Sequence, residues 1–430
     1  MKQKILALIC ALLLCGCAPA AAPEGEPAPA AEDALVEMVQ PAETAEPMPD
    51  IAGSFLDTEV VVPPEVELLV LDYMDLYYTS LARLELCLLQ DLQHLFGTEA
   101  YDQALGNHTV WDYLIQTRLM QPTDLSMTAC RYVMNCLFAE EQEDGSLQLM
   151  VVEQSTQKFA AHPDVDSEVL NVYHSFTADQ LADGSWRLGS HMQLDSLYFS
   201  LFGDHDESEL NRAFLEPMFP TEDTEAFLRQ RLQSLLQAAE QHYSLRSYGQ
   251  PEAIEADNEY DRAAAIEYAH RHALERNPRW DDYGIYGGNC QNFVSQCLLA
   301  GGIPMDITGN VVWKWYGTTP NEQRLAYGRS ASWSSVEVFR EYIQYNRGGP
   351  GLVAVVDAPY YSGEEGDVLQ MGTGDGAWKH TVIITGLVKD EQGRTVDYLV
   401  NSNTADLRSY PAGAYSYTDL SLVHIVGWDE

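Results

Sequence analysis

Apolar positions along this chain repeat with two periods, and the switches between them outline its elements. Leu68, Leu71, Leu76, Leu81, Leu84, Leu88, Leu92 and Leu95 form a dense stripe over one or two helices that ends at Gly97. Alternation of period two then predicts strands over 129–139, 147–159, 169–178 and 185–189. Asp183-Gly184, between the last two, signals a two-residue hairpin. The helical period returns over 224–243 and over 260–276, where Ala264, Tyr268 and Ala269 make an apolar face and Pro278 sets the stop. A capping box of Ser334 and Glu337 opens a further helix through Val336, Phe339, Tyr342 and Ile343. Strands are expected at 366–371, 381–385 and 397–403, the middle one a β-branched run suited to a buried position. The pattern predicts an α+β fold in two separate units, 61–247 and 255–430, as the 430-residue length also suggests.

Residues 18–60 interrupt this patterning. They are rich in Ala, Pro and Glu and contain no Lys or Arg, so like charge and proline keep them extended as a disordered linker. Ahead of them, Lys2 and Lys4 precede an apolar run at 5–14 and then Leu14-Cys15-Gly16-Cys17. That segment resembles a bacterial lipobox. The resemblance implies residues 1–17 as signal peptide and lipobox, cleavage before Cys17, lipid on its sulfur, and a lipoprotein anchored outside the cytoplasmic membrane.

Charge narrows the partners. Lys+Arg number 24 and Asp+Glu 65, a formal net charge of −41, and such a field repels phosphate backbones and anionic lipid heads and gives little support to a nucleic-acid role. No interior stretch reaches the ~18 apolar residues of a membrane-spanning helix. Beyond the leader and Cys17 the cysteines are Cys87, Cys130, Cys136, Cys290 and Cys297, with no C-x-x-C, so neither a zinc knuckle nor a redox motif is written. Any disulfide must come from Cys87, Cys130 and Cys136.

The unit at 61–247 is similar, in topology alone, to the cone-shaped α+β domains of the NTF2-like kind. Its histidines, His162, His174, His191 and His205, lie too far apart in sequence to read as a ligand set. The acidic run at 204–207 reads as a solvated loop. No chemistry is assigned to this unit.

The chemistry is written at 287–302. Gly287-Gly288 permits a tight turn, Gly301-Gly302 closes a helix of about three turns, and Cys290 falls at its N-terminus. There the backbone N–H groups and the macrodipole favour an ionised sulfur. Cys297, two turns on and ~10 Å away, reads as a packing residue. A thiolate needs a base from elsewhere, and His380 stands at the start of the β-branched strand. Asn401 and Asn403 share one face of the next strand, and either could orient the imidazole. Tyr283 and Tyr286 precede the cysteine and are candidate oxyanion donors. Trp313, Trp315 and Tyr316 read as packing residues rather than groove lining. His270 and His272, two apart on a helix, cannot share a metal.

From about Tyr260 onward this arrangement resembles the putative amidase domain of the papain-like, NlpC-related cysteine peptidases. The resemblance is carried by Gly287-Gly288 and Cys290, Asn292-Phe293-Val294-Ser295-Gln296-Cys297, Ala300-Gly301-Gly302, Pro304, Ser332-Trp333, Gly366-Asp367-Val368 and His380. It implies a papain-like fold with Cys290 as nucleophile and His380 as general base. Two positions depart from the family pattern. Asn289 stands where Asp usually precedes the cysteine, and Asn403-Thr404-Ala405-Asp406 stands where a His-Thr-x-Asp block is usual. The expected activity is hydrolysis of amides through a Cys290 thioester, with peptides or peptidoglycan stem peptides as substrate by location and analogy, and without metal or organic cofactor. The same thioester would serve an acyl transferase, and a wall-binding or sensory lipoprotein that keeps the fold without the reaction is the alternative.

Overall fold

The computed structural model describes residues 48–430 except 57, 196, 199–218, 220–222, 285–287, 308–310, 316–328 and 373–375. Cys17, most of the linker, the 204–207 run with His205, Tyr286, Gly287 and Tyr316 lie outside the described residues.

The first described element is an edge strand, β1 (Asp50–Phe55), which pairs with β2 although it lies within the 18–60 segment expected as disordered linker; α1 (Pro64–Arg83) follows, with Pro64 in its first turn, Glu65 and Glu67 at its positive end and Arg83 at its negative one. Leu84, in the left-handed region at φ 51°, ends it. A short α2 (Leu89–Gln93) and a long α3 (Tyr101–Leu119) follow. The leucine stripe predicts the first two; α3 is unanticipated, because its buried face at Asn107, Val110, Trp111, Leu114 and Arg118 has helical spacing but includes two polar residues, and buried Thr109, Tyr113 and Thr117 widen it.

Four antiparallel strands come next: β2 (Met127–Glu141), β3 (Leu147–Phe159), β4 (Ser167–Gln180) and β5 (Trp186–Gln193). The turn between β4 and β5 is longer than the two-residue hairpin expected. The Gly184 N–H donates to Leu181 O, with Gly184 at φ 87° taking the left-handed step. After α4 (Thr224–Ser244), capped by the Asp223 side chain, come the short β6 (Asn258–Glu259), α5 (Arg262–His272), α6 (Cys290–Ala300), α7 (Ala331–Ser334) and α8 (Val336–Tyr345). Ser335, not Ser334, caps α8, accepting from the Val338 N–H. The chain ends in β7 (Gly351–Ala358), β8 (Val368–Gly372), β9 (Trp378–Lys389), β10 (Thr395–Ser402), β11 (Asp406–Pro411) and β12 (Asp419–Asp429).

Among the described residues these strands form one mixed sheet ordered β1-β2-β3-β4-β11-β10-β9-β8-β12-β6, with β5 also on β4 and β7 also on β12. Only β1 and β2 run parallel among the paired strands. The fold is therefore α+β as expected, but the sheet runs on across the two sequence regions. β4 makes the junction: His174 to Gln180 pair with β5, whereas Glu168 to Leu170 pair with β11. Asn171, at φ 62°, lies at the changeover, and its Nδ2 donates to Asp406 Oδ2 at 2.8 Å. Burial nonetheless falls into distinct cores. One gathers Val66, Tyr73, Trp111, Tyr132, Phe176 and their neighbours of the accessory region. Two others line opposite faces of the C-terminal strands: Phe293, Cys297, Trp313, Trp333 and Ile383 on the helical side, Met371, Val382, Ile384 and Tyr398 on the other.

The five described cysteines are free, so Cys87, Cys130 and Cys136 form no disulfide. No described helix is long and apolar enough to cross a membrane.

Candidate active site

Cys290 is the first residue of α6, and the turn that delivers it is fastened on every side. Gly288 takes φ +145°, a conformation open to glycine, and a Cβ there would lie 3.3 Å from Thr404 Oγ1. The Asn289 N–H donates to that same Thr404 oxygen at 2.6 Å. Asn289 Oδ1 accepts from the Tyr283 N–H at 3.1 Å and from Asn292 Nδ2 at 2.8 Å, while its Nδ2 donates to Asn403 Oδ1 at 3.0 Å. The two positions that depart from the family pattern are thus hydrogen-bonded to each other. An aspartate at 289 paired with an imidazole N–H at 403 would be joined donor to acceptor in the same way; the Asn–Asn pair keeps that link without charge.

The remaining polar residues of the motif act as fixings. Asn292 Oδ1 accepts from Trp333 Nε1 at 2.9 Å, Ser295 Oγ donates to Trp333 O and accepts from Trp313 Nε1, and Gln296 Oε1 accepts from the Tyr268 hydroxyl. Trp313 and Trp333 stack at 4.8 Å, both fully buried, and Trp315 is 6% exposed, so these tryptophans pack beneath the helix as expected. Gly301 admits the Tyr260 ring, whose nearest atom would lie 2.2 Å from a Cβ. Cys297 is buried in the helical-side core, consistent with a packing role.

Cys290 itself is 6% exposed. Backbone N–H groups of Thr381 and Gln291 face the sulfur and favour its ionised form. Helix-end position alone leads one to expect an ionised sulfur. Burial outweighs these donors and pushes the thiol up to about 11. Thr381 follows His380 on β9, so the contact brings the sulfur against the strand at the imidazole.

His380 is 4% exposed, and burial pushes its imidazole down to about 4. Its rings of contact are Tyr415, with centroids 5.6 Å apart, and Tyr417, stacked at 5.8 Å and 12°. Its Nε2 lies 3.1 Å from Ser402 Oγ. Because the Ser402 hydroxyl donates to Asn403 O at 3.1 Å, the oxygen is left to accept, which places the imidazole proton on Nε2 and frees Nδ1 as the basic nitrogen. Tyr415 ties the two reactive groups: besides its ring contact with His380, its hydroxyl is electrostatically coupled to Cys290 and turned toward Ser402.

Neither asparagine holds the imidazole. Asn403 is spent on Asn289 through Oδ1 and on Ala273 O, His272 O and Ser402 O through Nδ2. Asn401 contacts a different histidine, His270 Nδ1 at 3.2 Å, and accepts from the Ser409 N–H and the Thr385 hydroxyl. Ser402, between them, takes the place expected of one of them. Tyr283 meets the site through its backbone bond to Asn289, with its ring beside Trp315 and under Arg329. Asp406, the last residue of the departing block, is buried and accepts from Arg276 at 2.6 Å and from Asn171, anchoring the β10–β11 reversal. Within that reversal Thr404 and Ala405 are both left-handed, at φ 82° and 46°, which turns Thr404 back onto Asn289.

Residues 259–426 match the family model described as a putative amidase domain. An uncharacterized protein of Bacillus subtilis, YhbB, is 33% identical over 151 residues, which are 35% of this chain and 43% of that protein. The match thus spans less than half of the relative's length. Over residues 259–426, then, the C-terminal region of the chain is similar to the putative amidase domain family.

Proposed function

We propose that the chain is a cysteine-dependent amide hydrolase with Cys290 as nucleophile and His380 as base. The observation that supports this reading is the Cys290 sulfur at a helix N-terminus against the Thr381 N–H, next in the chain to His380, whose Nε2 lies 3.1 Å from Ser402 Oγ. Thiol and imidazole are both neutral in the free protein, so the proton moves during attack rather than before it. The sulfur bonds to the amide carbon as its proton passes to Nδ1. The carbonyl π pair moves onto oxygen, where the Cys290 N–H at the open helix end is a donor typically worth ~3 kcal/mol. The C–N bond then breaks, the amine leaves with the imidazole proton, and water releases the acid from the thioester.

The leader and the linker support a lipid-anchored protein at the outer face of a bacterial membrane, held through Cys17, with peptidoglycan stem peptides within reach. Incubation of muropeptides and generic peptide amides with wild type and Cys290→Ala, read by mass spectrometry, tests the reaction. Cleavage lost in the mutant is the expected result. The raised thiol favours one second reading, a wall-binding or sensory module that keeps the fold without turnover. Absence of cleavage by the wild type would replace the hydrolase with that reading.

A further inference from the structure

The connection from β11 to β12 carries Tyr415 and Tyr417 to the His380 ring, yet much of what holds it belongs to the accessory region. On β11, just before the connection, Ser409 O accepts from Ser167 Oγ at 2.8 Å, and the Tyr410 hydroxyl accepts from Arg118 of α3. The Tyr410 ring stands edge-on to Phe159 at 5.8 Å and to Tyr415 at 5.6 Å. Ala414 is buried in the accessory core, not in the cores of its own strands. Ser416 O, between the two tyrosines that flank His380, accepts from the hydroxyl of Tyr113 on α3 at 3.0 Å. Tyr113 is itself fully buried, and it lies outside the residues matched by the amidase family. A connection without continuous strand pairing thus borrows its rigidity from a neighbouring core.

We infer that the accessory region is a built-in wall of the reactive site, with Tyr113 as a positioning residue that holds Tyr415 and Tyr417 against His380 through Ser416. The inference rests on the reading of Cys290 and His380 as the reactive pair, but its test does not need turnover. Tyr113→Phe removes one hydroxyl and keeps the ring. Two site titrations are read in the full chain: iodoacetamide alkylation of Cys290 against pH, mapped by peptide mass spectrometry, and the His380 ring signals against pH by NMR. Loosening the wall admits water to both groups. The alkylation midpoint is expected to fall from about 11 toward the ordinary thiol range, raising the rate at pH 8 by about tenfold per unit. The imidazole midpoint is expected to rise from about 4 toward 6.5. Tyr415→Ala, on the other side of the same contact, is expected to move both in the same direction. A lower melting temperature with both titrations unmoved in both variants would overturn the inference and leave Tyr113 a structural residue. A wild type that cleaves no amide, with both titrations moved by Tyr113→Phe, would sink the hydrolase and leave the wall standing.

Discussion

In the accessory region a chain of buried polar groups is closed from end to end; around Cys290 a comparable set is left open. Tyr73 and Asn107 meet His191 Nδ1 at 2.6 and 2.8 Å, His191 Nε2 meets His174 Nδ1 at 3.0 Å, and His174 Nε2 meets Glu153 at 3.1 Å. Tyr78 donates to the other Glu153 oxygen. One set of tautomers runs the donors from Tyr73 through both imidazoles onto the carboxylate, while Asn107 Oδ1 accepts from the Tyr198 hydroxyl at 3.3 Å. Beside the candidate nucleophile, Thr381 Oγ1 and Gln291 Oε1 are buried without a hydrogen-bond partner. Saturation suits a group that fixes a core. Unused capacity beside a sulfur suits a site that awaits a substrate's polar atoms.

The largest expected effects separate the two clusters in opposite directions. Glu153→Leu strands the Tyr78 hydroxyl and His174 Nε2 in the core and is expected to cost about 3 to 5 kcal/mol of stability, while amide cleavage per folded molecule stays within about twofold. His380→Ala is expected to lower cleavage by about a thousandfold or more with a stability change near 1 kcal/mol. Urea denaturation and turnover measured on the same preparations decide between them. Cleavage abolished by Glu153→Leu at unchanged stability would reverse the assignment of roles.

Next in size is the Asn289–Asn403 link. Asn289→Asp turns a carboxylate oxygen onto Asn403 Oδ1, and rotating the Asn403 amide to answer it would forfeit its bond to Ala273 O at 2.7 Å. A cost of about 2 to 3 kcal/mol follows for the single variant. Adding Asn403→His restores a donor, so the double-mutant cycle in urea is expected to show a favourable coupling of at least ~1 kcal/mol. Strict additivity would mean that the two departures from the family pattern arose independently of each other.

Both halves of that pair stand out in the sequence, as does the nucleophile. Paired glycines on each side of one helical turn pattern bracket Cys290, and a β-branched run begins at His380; such signals are local, and local signals survive folding. Strand β3 is bounded in the structure by the same residues that its alternation predicts. The third member of the site is not local. Period two on β10 puts Asn401 and Asn403 on one face and Ser402 on the other, and the choice between faces is made by the register Asn401 to Ile383. The accessory relay was hidden for the same reason. His174 and His191 are 17 residues apart, but the β4–β5 pairing sets His191 opposite Phe176 and His174 opposite Gln193, which brings the imidazoles together diagonally. Strand β12 also escapes a sequence reading, although it pairs with β6, β7 and β8, because its Asp, Ser, His and Gly positions blur the alternation.

The smallest effect sharpens the contrast through acid. Burial pushes the His380 imidazole down to about 4 against about 6.5 in the unfolded chain, so the unfolded state binds the extra proton first. The stability contributed by a neutral His380 is complete above about 6.5 and is lost as the pH falls toward 4, at up to about 1.4 kcal/mol per unit. Asp195 and Asp397, pushed up to about 6 by burial, act with the opposite sign, since the stability they contribute is lost as the pH rises through that value. His191, also lowered by burial, acts with the same sign as His380. All three are shared by wild type and His380→Gln and cancel in the difference between them. Urea denaturation at pH 6.5 and 5.5 is therefore expected to show the wild type losing about 1 kcal/mol more than His380→Gln. Parallel losses would mean that the imidazole titrates like an exposed one, and the site would then lack the dry, neutral pair on which its contrast with the accessory core depends.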